Sequence, residues 1–326
     1  MLDVTVALRA FKGLTESVRS LSTWVETARK NAADVREAKQ LLGLSEPAGE
    51  AYRSDAVHPL YTPGKLHPDN EAALLAAGND LGLNPSVQRD VIQVDATDNS
   101  LLLFGSPTSE GLSRIVFDYA ELPDRDGLAC VDRPLDFAYG WNLDPESVGK
   151  GEVGRFVPGK GIVRRPPWQI SNFRSTGQSR YVPETDSEGM ITEDYLLITR
   201  MRNFLSPAAQ AQGRFLVSFG GAHGTGTRAV ACLFRDKRLL RQVLETLKAK
   251  HRDASGQVAG IPKAYQLLFR VSGIKHSHKG SIPSRLELAD AVVLGDSESS
   301  WDYARRRVAP RLEQQGSADQ PNTESC

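Results

Sequence analysis

Residues 220–227 read Gly-Gly-Ala-His-Gly-Thr-Gly-Thr, and Arg228 follows directly. The run combines a backbone that ligands can approach with donors for an anion. Glycine leaves no Cβ in a ligand's way and permits positive φ. Where such a loop feeds a helix, the first N–H groups are unpaired and the dipole is positive, which suits phosphate. Gly220, Gly221, Gly224 and Gly226 would line the approach, Thr225 and Thr227 add hydroxyls, and Arg228 adds a charge. His223 is the candidate acid–base group, because imidazole titrates near neutrality.

Two phosphate-binding patterns come close. Gly224-x-Gly226-x-x-Ala229 fits the Ala-ending dinucleotide fingerprint. No acidic residue stands about twenty positions later at a strand end, and Glu245 falls inside a helical pattern. Gly221 and Gly226 have Walker A spacing, but Thr227 stands where that motif needs lysine. The chemistry common to both patterns remains.

A second loop repeats the arrangement. Gly105, Ser106, Thr108 and Ser109 follow the apolar run Leu101–Phe104, and Pro107 preorders the turn. Two such loops at the carboxyl ends of neighbouring strands would line one crevice, the usual ligand position in open α/β sheets. Arg200 and Asn203 end another apolar run and are expected at the same crevice, where guanidinium would clamp an anion. Other candidates read as ordinary structure. Asp186, Glu188, Glu193 and Asp194 look like a solvated turn. His276 and His278 lack a third ligand, so no metal site is expected. Trp168, beside Arg164 and Arg165, reads as hairpin packing.

These loops need strands and helices to hold them. Apolar runs at 100–104, 194–207, 213–219, 265–274 and 284–294 read as strands, and residues after 224 to about 250 carry helical spacing. Alternating strands and helices predict a Rossmann-like α/β domain at 97–310 with a mainly parallel sheet. Residues 123–193, rich in Gly, Pro and aromatics, read as a β-rich insertion. Residues 1–44 keep alternating spacings of three and four from Val4 to Val35 and predict a long N-terminal helix for assembly. Residues 45–96 read as a linker with a short helix, and 311–326 as a disordered tail.

Composition narrows the function. Forty basic and forty acidic residues cancel in a chain of 326, which argues against a dominant nucleic-acid role. No apolar run is long enough for a membrane helix. Cys130, Cys232 and Cys326 form no CxxC, which fits a cytoplasmic protein with reduced thiols.

A strand–Gly-Ser–helix unit followed by a strand–Gly-Gly-x-x-Gly-Thr-Gly-Thr–helix unit resembles the Rossmann-like SLOG group, which includes the DprA and LOG-type proteins. The resemblance covers about residues 97–120 and 213–250. It implies binding, processing or sensing of a nucleotide-derived ligand in bacterial defence or signalling. The expected ligand is therefore a nucleotide or NAD-like molecule, bound and either sensed or hydrolysed. The alternative expectation is a non-catalytic scaffold, homo-oligomeric or bound to a helical partner through residues 1–44.

Overall fold

The computed structural model describes residues 68–81, 100–107, 113, 116–117, 135–141, 153–157, 161–165, 168–172, 180–251, 256–257, 260–277 and 280–295. The expected assembly helix at 1–44 and the tail at 311–326 lie outside the described residues, as do Thr108 and Ser109.

The centre is a six-stranded mixed sheet. It contains β1 (Leu101–Phe104), β8 (Ile191–Arg202), β9 (Phe215–Gly221), β10 (Tyr265–Ser272) and β13 (Arg285–Val293) in the order β1-β9-β8-β10-β13. The two-residue β7 (Glu184–Thr185) pairs with the start of β8. Only β1 and β9 run parallel, with Leu101 opposite Leu216 and Phe104 opposite Phe219. The pairs β8–β9, β8–β10 and β10–β13 are antiparallel.

The expectation of a mainly parallel, Rossmann-like sheet is therefore corrected. Near-continuous apolar strands usually mark parallel sheets, because helices cover both faces. Here antiparallel strands are equally apolar because both of their faces are covered by different means. On one face, Leu196, Ile198, Val217, Phe219, Leu267 and Phe269 pack against helices. On the other, Leu197, Met201, Leu216 and Leu268 pack against a smaller antiparallel sheet. That sheet has the order β2 (Phe137–Trp141), β5 (Trp168–Asn172), β6 (Arg180–Tyr181). The β-rich insertion thus supplies the second covering layer through β2, β5 and β6, while its β3 (Val153–Val157) and β4 (Gly161–Arg165) pair as a separate hairpin.

One buried side chain fastens that layer. Gln266 of β10 is fully buried. Its Oε1 accepts the N–H groups of Asp136 and Phe137, each at 2.8 Å. Its Nε2 donates to Phe137 O at 2.9 Å and Thr199 Oγ1 at 3.1 Å. An amide offers both acceptor and donor, so one side chain satisfies both polar groups of Phe137.

Helices α1 (Pro68–Leu81), α3 (Gly224–Arg228), α4 (Val230–Arg235) and α5 (Lys237–Lys250) lie on the first face. The helical spacing after residue 224 is split in three. Asp236 stops α4 and starts α5, its Oδ1 accepting the N–H groups of Arg238 and Leu239 at 3.0 Å. The chain reverses between β8 and β9 through α2 (Pro207–Ala211). Ser206 caps it by accepting Ala209 N–H at 3.0 Å, and Pro207 opens it with a preset φ. Gly213 then adopts φ +64°. This short reversal makes β8 and β9 antiparallel, and that orientation decides which residues reach the glycine loop.

Candidate functional site

The two glycine loops meet, as the parallel pairing of β1 and β9 requires. Gly105 has φ 128°, and its N–H donates to Phe219 O at 2.8 Å. A methyl group on Gly220 would lie 3.1 Å from both Gly105 O and Ser106 Cα. Ser113 Oγ donates to Gly105 O at 3.0 Å, tying the first loop to the segment that follows it. Ser106 and Pro107 are buried beside this junction.

The insertion closes over the same place. Tyr139 of β2 donates its hydroxyl to Gly220 O at 2.9 Å. Burial, and after it the Asp194 carboxyl, push the Tyr139 pKa far above its ordinary value, so it stays a neutral donor. The N–H of Trp168 in β5 donates to His223 Nε2 at 3.3 Å. That nitrogen therefore accepts. His223 and Gly224 are half-buried, at the rim of the junction.

Beneath the loop lies a carboxyl group instead of a vacancy for an anion. Asp194, near the start of β8, is fully buried. Its Oδ1 accepts the N–H groups of Tyr195 at 2.8 Å and His223 at 3.2 Å. Its Oδ2 accepts Gly226 N–H at 2.6 Å. The remaining loop polarity is also used internally: Gly221 N–H donates to Thr227 Oγ1 at 2.8 Å, and Thr227 N–H to His223 O at 3.3 Å. Burial pushes the Asp194 pKa up to about 7, against the opposing pull of the three N–H groups, with Asp69 adding a smaller upward push.

The glycines are explained by close backbone packing. A Cβ on Gly226 would overlap Tyr195 O, and one on Gly221 would overlap His223 O and Thr227 N. Neither obstacle is a side chain that can swing away.

The remaining expected ligands go elsewhere. Arg200 and Asn203 lie at the opposite end of the sheet from the glycine loop. In the antiparallel register Arg202 faces Phe215, whereas Leu196 faces Gly221. Arg200 sits over the Phe215 ring at 4.8 Å and donates to the carbonyls of Pro262 and Lys263. Asn203 Oδ1 accepts Leu205 N–H at 3.1 Å within the reversal before α2. Arg228 is beside the loop but is committed to structure: it pairs with Asp69 of α1 at 3.3 Å. It also donates to Ser281 O at 3.2 Å, in β12 (Gly280–Ile282), which pairs with β11 (Lys275–Ser277). Thr225 and Thr227 are buried.

The acidic cluster divides. Asp186 Oδ1 accepts the N–H groups of Glu188 and Met190, as a solvated turn should. Glu193 and Asp194 are buried in β8. Glu193 accepts Tyr195 OH at 2.8 Å and pairs with Arg270. His276 joins β11 to the start of β8, its Nε2 lying 2.8 Å from Ile191 O.

No protein-family model, no curated protein and no solved structure matches the chain. Among the described residues, no helix is long and apolar enough to cross a membrane.

Proposed function

We propose that the chain binds a nucleotide-derived small molecule over the joined carboxyl ends of β1 and β9. The observation that carries this reading is the contact between the two loops, where Gly220 presses against Gly105 and Ser106. Adjacent strand ends of this kind are where α/β sheets receive ligands. The groups at the rim are the Ser106–Pro107 turn, the His223 ring and Gly224. Because Asp194 takes the N–H groups of His223 and Gly226, recognition rests on the sugar and base and not on a phosphate under the loop. A second carboxylate-like group there would meet Asp194 and be repelled.

Calorimetry and thermal shift with NAD, ADP-ribose, ATP, cyclic nucleotides and adenosine test this reading. A ligand of the native state raises the melting point, by an amount set by its concentration relative to Kd. Adenosine-containing ligands are expected to shift the melting temperature, while inorganic phosphate and pyrophosphate alone leave it unmoved. Gly224→Val should abolish the shift. Absence of any shift with the whole panel removes the proposal.

A further inference from the structure

A buried carboxyl is among the groups that fasten the loop to the sheet, and among the described residues no cation pairs with it. Asp194 contacts three backbone N–H groups, two of them in the loop. Each element packed around it contributes identifiable charged or titratable groups. From α1 comes Asp69, of the same sign. From β2 comes Tyr139, a neutral donor already bonded to Gly220 O. From β8 come Tyr195 and Glu193, bonded to one another, with Arg270 of β10 paired to Glu193. From the loop comes His223, whose Nε2 accepts Trp168 N–H. From α3 comes Arg228, paired with Asp69.

We propose that Asp194 is a proton-linked latch: the loop 221–226 is held closed while this carboxyl is protonated and loosens when it ionises. This inference stands whether or not a nucleotide binds, since it concerns only the loop and its fastening.

The chemistry of the two oxygens explains what each charge state keeps. Both the Tyr195 and His223 bonds fall on Oδ1. A neutral carboxyl with its proton on Oδ2 therefore retains both and weakens only the bond from Gly226. An ionised carboxyl accepts all three, but it is a charge removed from water with an acidic neighbour. Such burial is costly unless a partner charge offsets it. Opening the loop returns the carboxylate to water. The form that binds the proton more tightly is favoured by acid, so the closed loop loses ground as pH rises from the open-state carboxylate range up to the closed-state titration, and no further above it. The upward displacement of the Asp194 pKa agrees in direction and puts the upper end of the change near pH 7.

The experiment is amide hydrogen exchange of the full chain between pH 5.5 and 9, corrected for intrinsic rates and followed at His223, Gly226 and Trp168. The opening constant at His223 and Gly226 should rise about tenfold per pH unit from pH 5.5 to about 7 and level off above that. In Asp194→Asn, which keeps shape without ionising, it should be flat throughout. In the wild-type chain, carbon NMR of the Asp194 carboxyl gives a midpoint that must coincide with the pH at which loop opening levels off, so the test does not depend on the variant folding. Trp168 N–H reports titration of the His223 ring separately. The proposal is overturned by pH-independent opening in the wild type or by the same dependence in Asp194→Asn. It is equally overturned if the pH at which opening levels off follows Trp168 N–H and not the carboxyl.

Discussion

The Asp194 carboxyl and the Gly226 N–H, 32 residues apart in the chain, meet at 2.6 Å. The N–H groups that begin a helix call for an acceptor, and here the protein supplies one from its own carboxyl group. The same contact explains why Gly226 must be glycine, since a side chain would drive into Tyr195 O beside it. A loop with the composition of a phosphate cradle thus works as the joint between two antiparallel strands. Its surface toward the β1 loop remains the place where a ligand would approach.

Asp194 should make stability fall as pH rises. Its pKa is raised in the folded chain from the ordinary 3.8 to about 7. The folded state therefore holds the proton more tightly than the unfolded state. The associated stability is fully present below pH about 4 and is lost as pH climbs through about 7. Three pH units correspond to about 4 kcal/mol at most. Urea unfolding of the wild type and Asp194→Asn at pH 4.5, 6 and 8 should show the wild type losing stability relative to the variant as pH rises. A wild type that gained on the variant with rising pH would contradict the burial argument.

Much of this arrangement was legible in the residues. The apolar runs marked β1, β8, β9, β10 and β13, and the strand–glycine–helix pattern located both loops. Orientation was not legible, because buried antiparallel and buried parallel strands share one apolar signature. Reversal depends on Ser206, Pro207 and Gly213, a short helix lying inside what reads as one polar turn. That single orientation exchanged Arg200 for Asp194 at the loop, a hydrogen-bond acceptor in place of a cation. A signal existed: Asp194 directly precedes Tyr195-Leu196-Leu197-Ile198 and belongs to the apolar run as much as to the acidic turn. Gln266 carried no signal at all, since only the tertiary fold brings the β2 edge to its amide.

Gly220 and Tyr139 should be energetically coupled. A methyl at residue 220 would overlap the Tyr139 hydroxyl while only approaching Gly105 and Ser106. Gly220→Ala is expected to cost about 2–3 kcal/mol by overpacking. Tyr139→Phe alone should cost about 1 kcal/mol through its lost hydrogen bond. Removing the hydroxyl makes room for the methyl, so the double variant should lose less than the sum by at least about 1 kcal/mol. Chemical denaturation of the four proteins measures this coupling. Gly226→Ala should find no such relief in any side-chain deletion, because its obstacle is backbone.

Gln266→Leu should detach the small sheet from the central one. Leucine has a similar volume but leaves the N–H groups of Asp136 and Phe137 without the acceptor they share. Each buried unsatisfied group costs about 1–3 kcal/mol, so a loss of about 3 kcal/mol or more is expected. Hydrogen exchange should show the loss first at β2, with β10 remaining protected. Uniform loss across both strands would mean that the two sheets unfold as one unit regardless of this amide.

Asp69 and Arg228 should act as a pair in docking α1. Their side chains are 18–19% exposed, Arg228 being the 18% member, at 3.3 Å. Arg228 also donates to Ser281 O, so α1, α3 and β12 meet at one guanidinium. A pair this far removed from solvent is less screened than an exposed one, whose usual worth is about 0–1 kcal/mol. Asp69→Asn should cost about 1 kcal/mol, and Arg228→Ala more, because it also abandons the β12 carbonyl. The effects should be less than additive in the double variant. Arg228→Lys should recover little, since a single ammonium cannot reach both partners with the spread of the guanidinium fork. If Arg228→Ala instead left stability unchanged while removing a nucleotide-induced thermal shift, the arginine would be a ligand contact and its structural role here would be wrong.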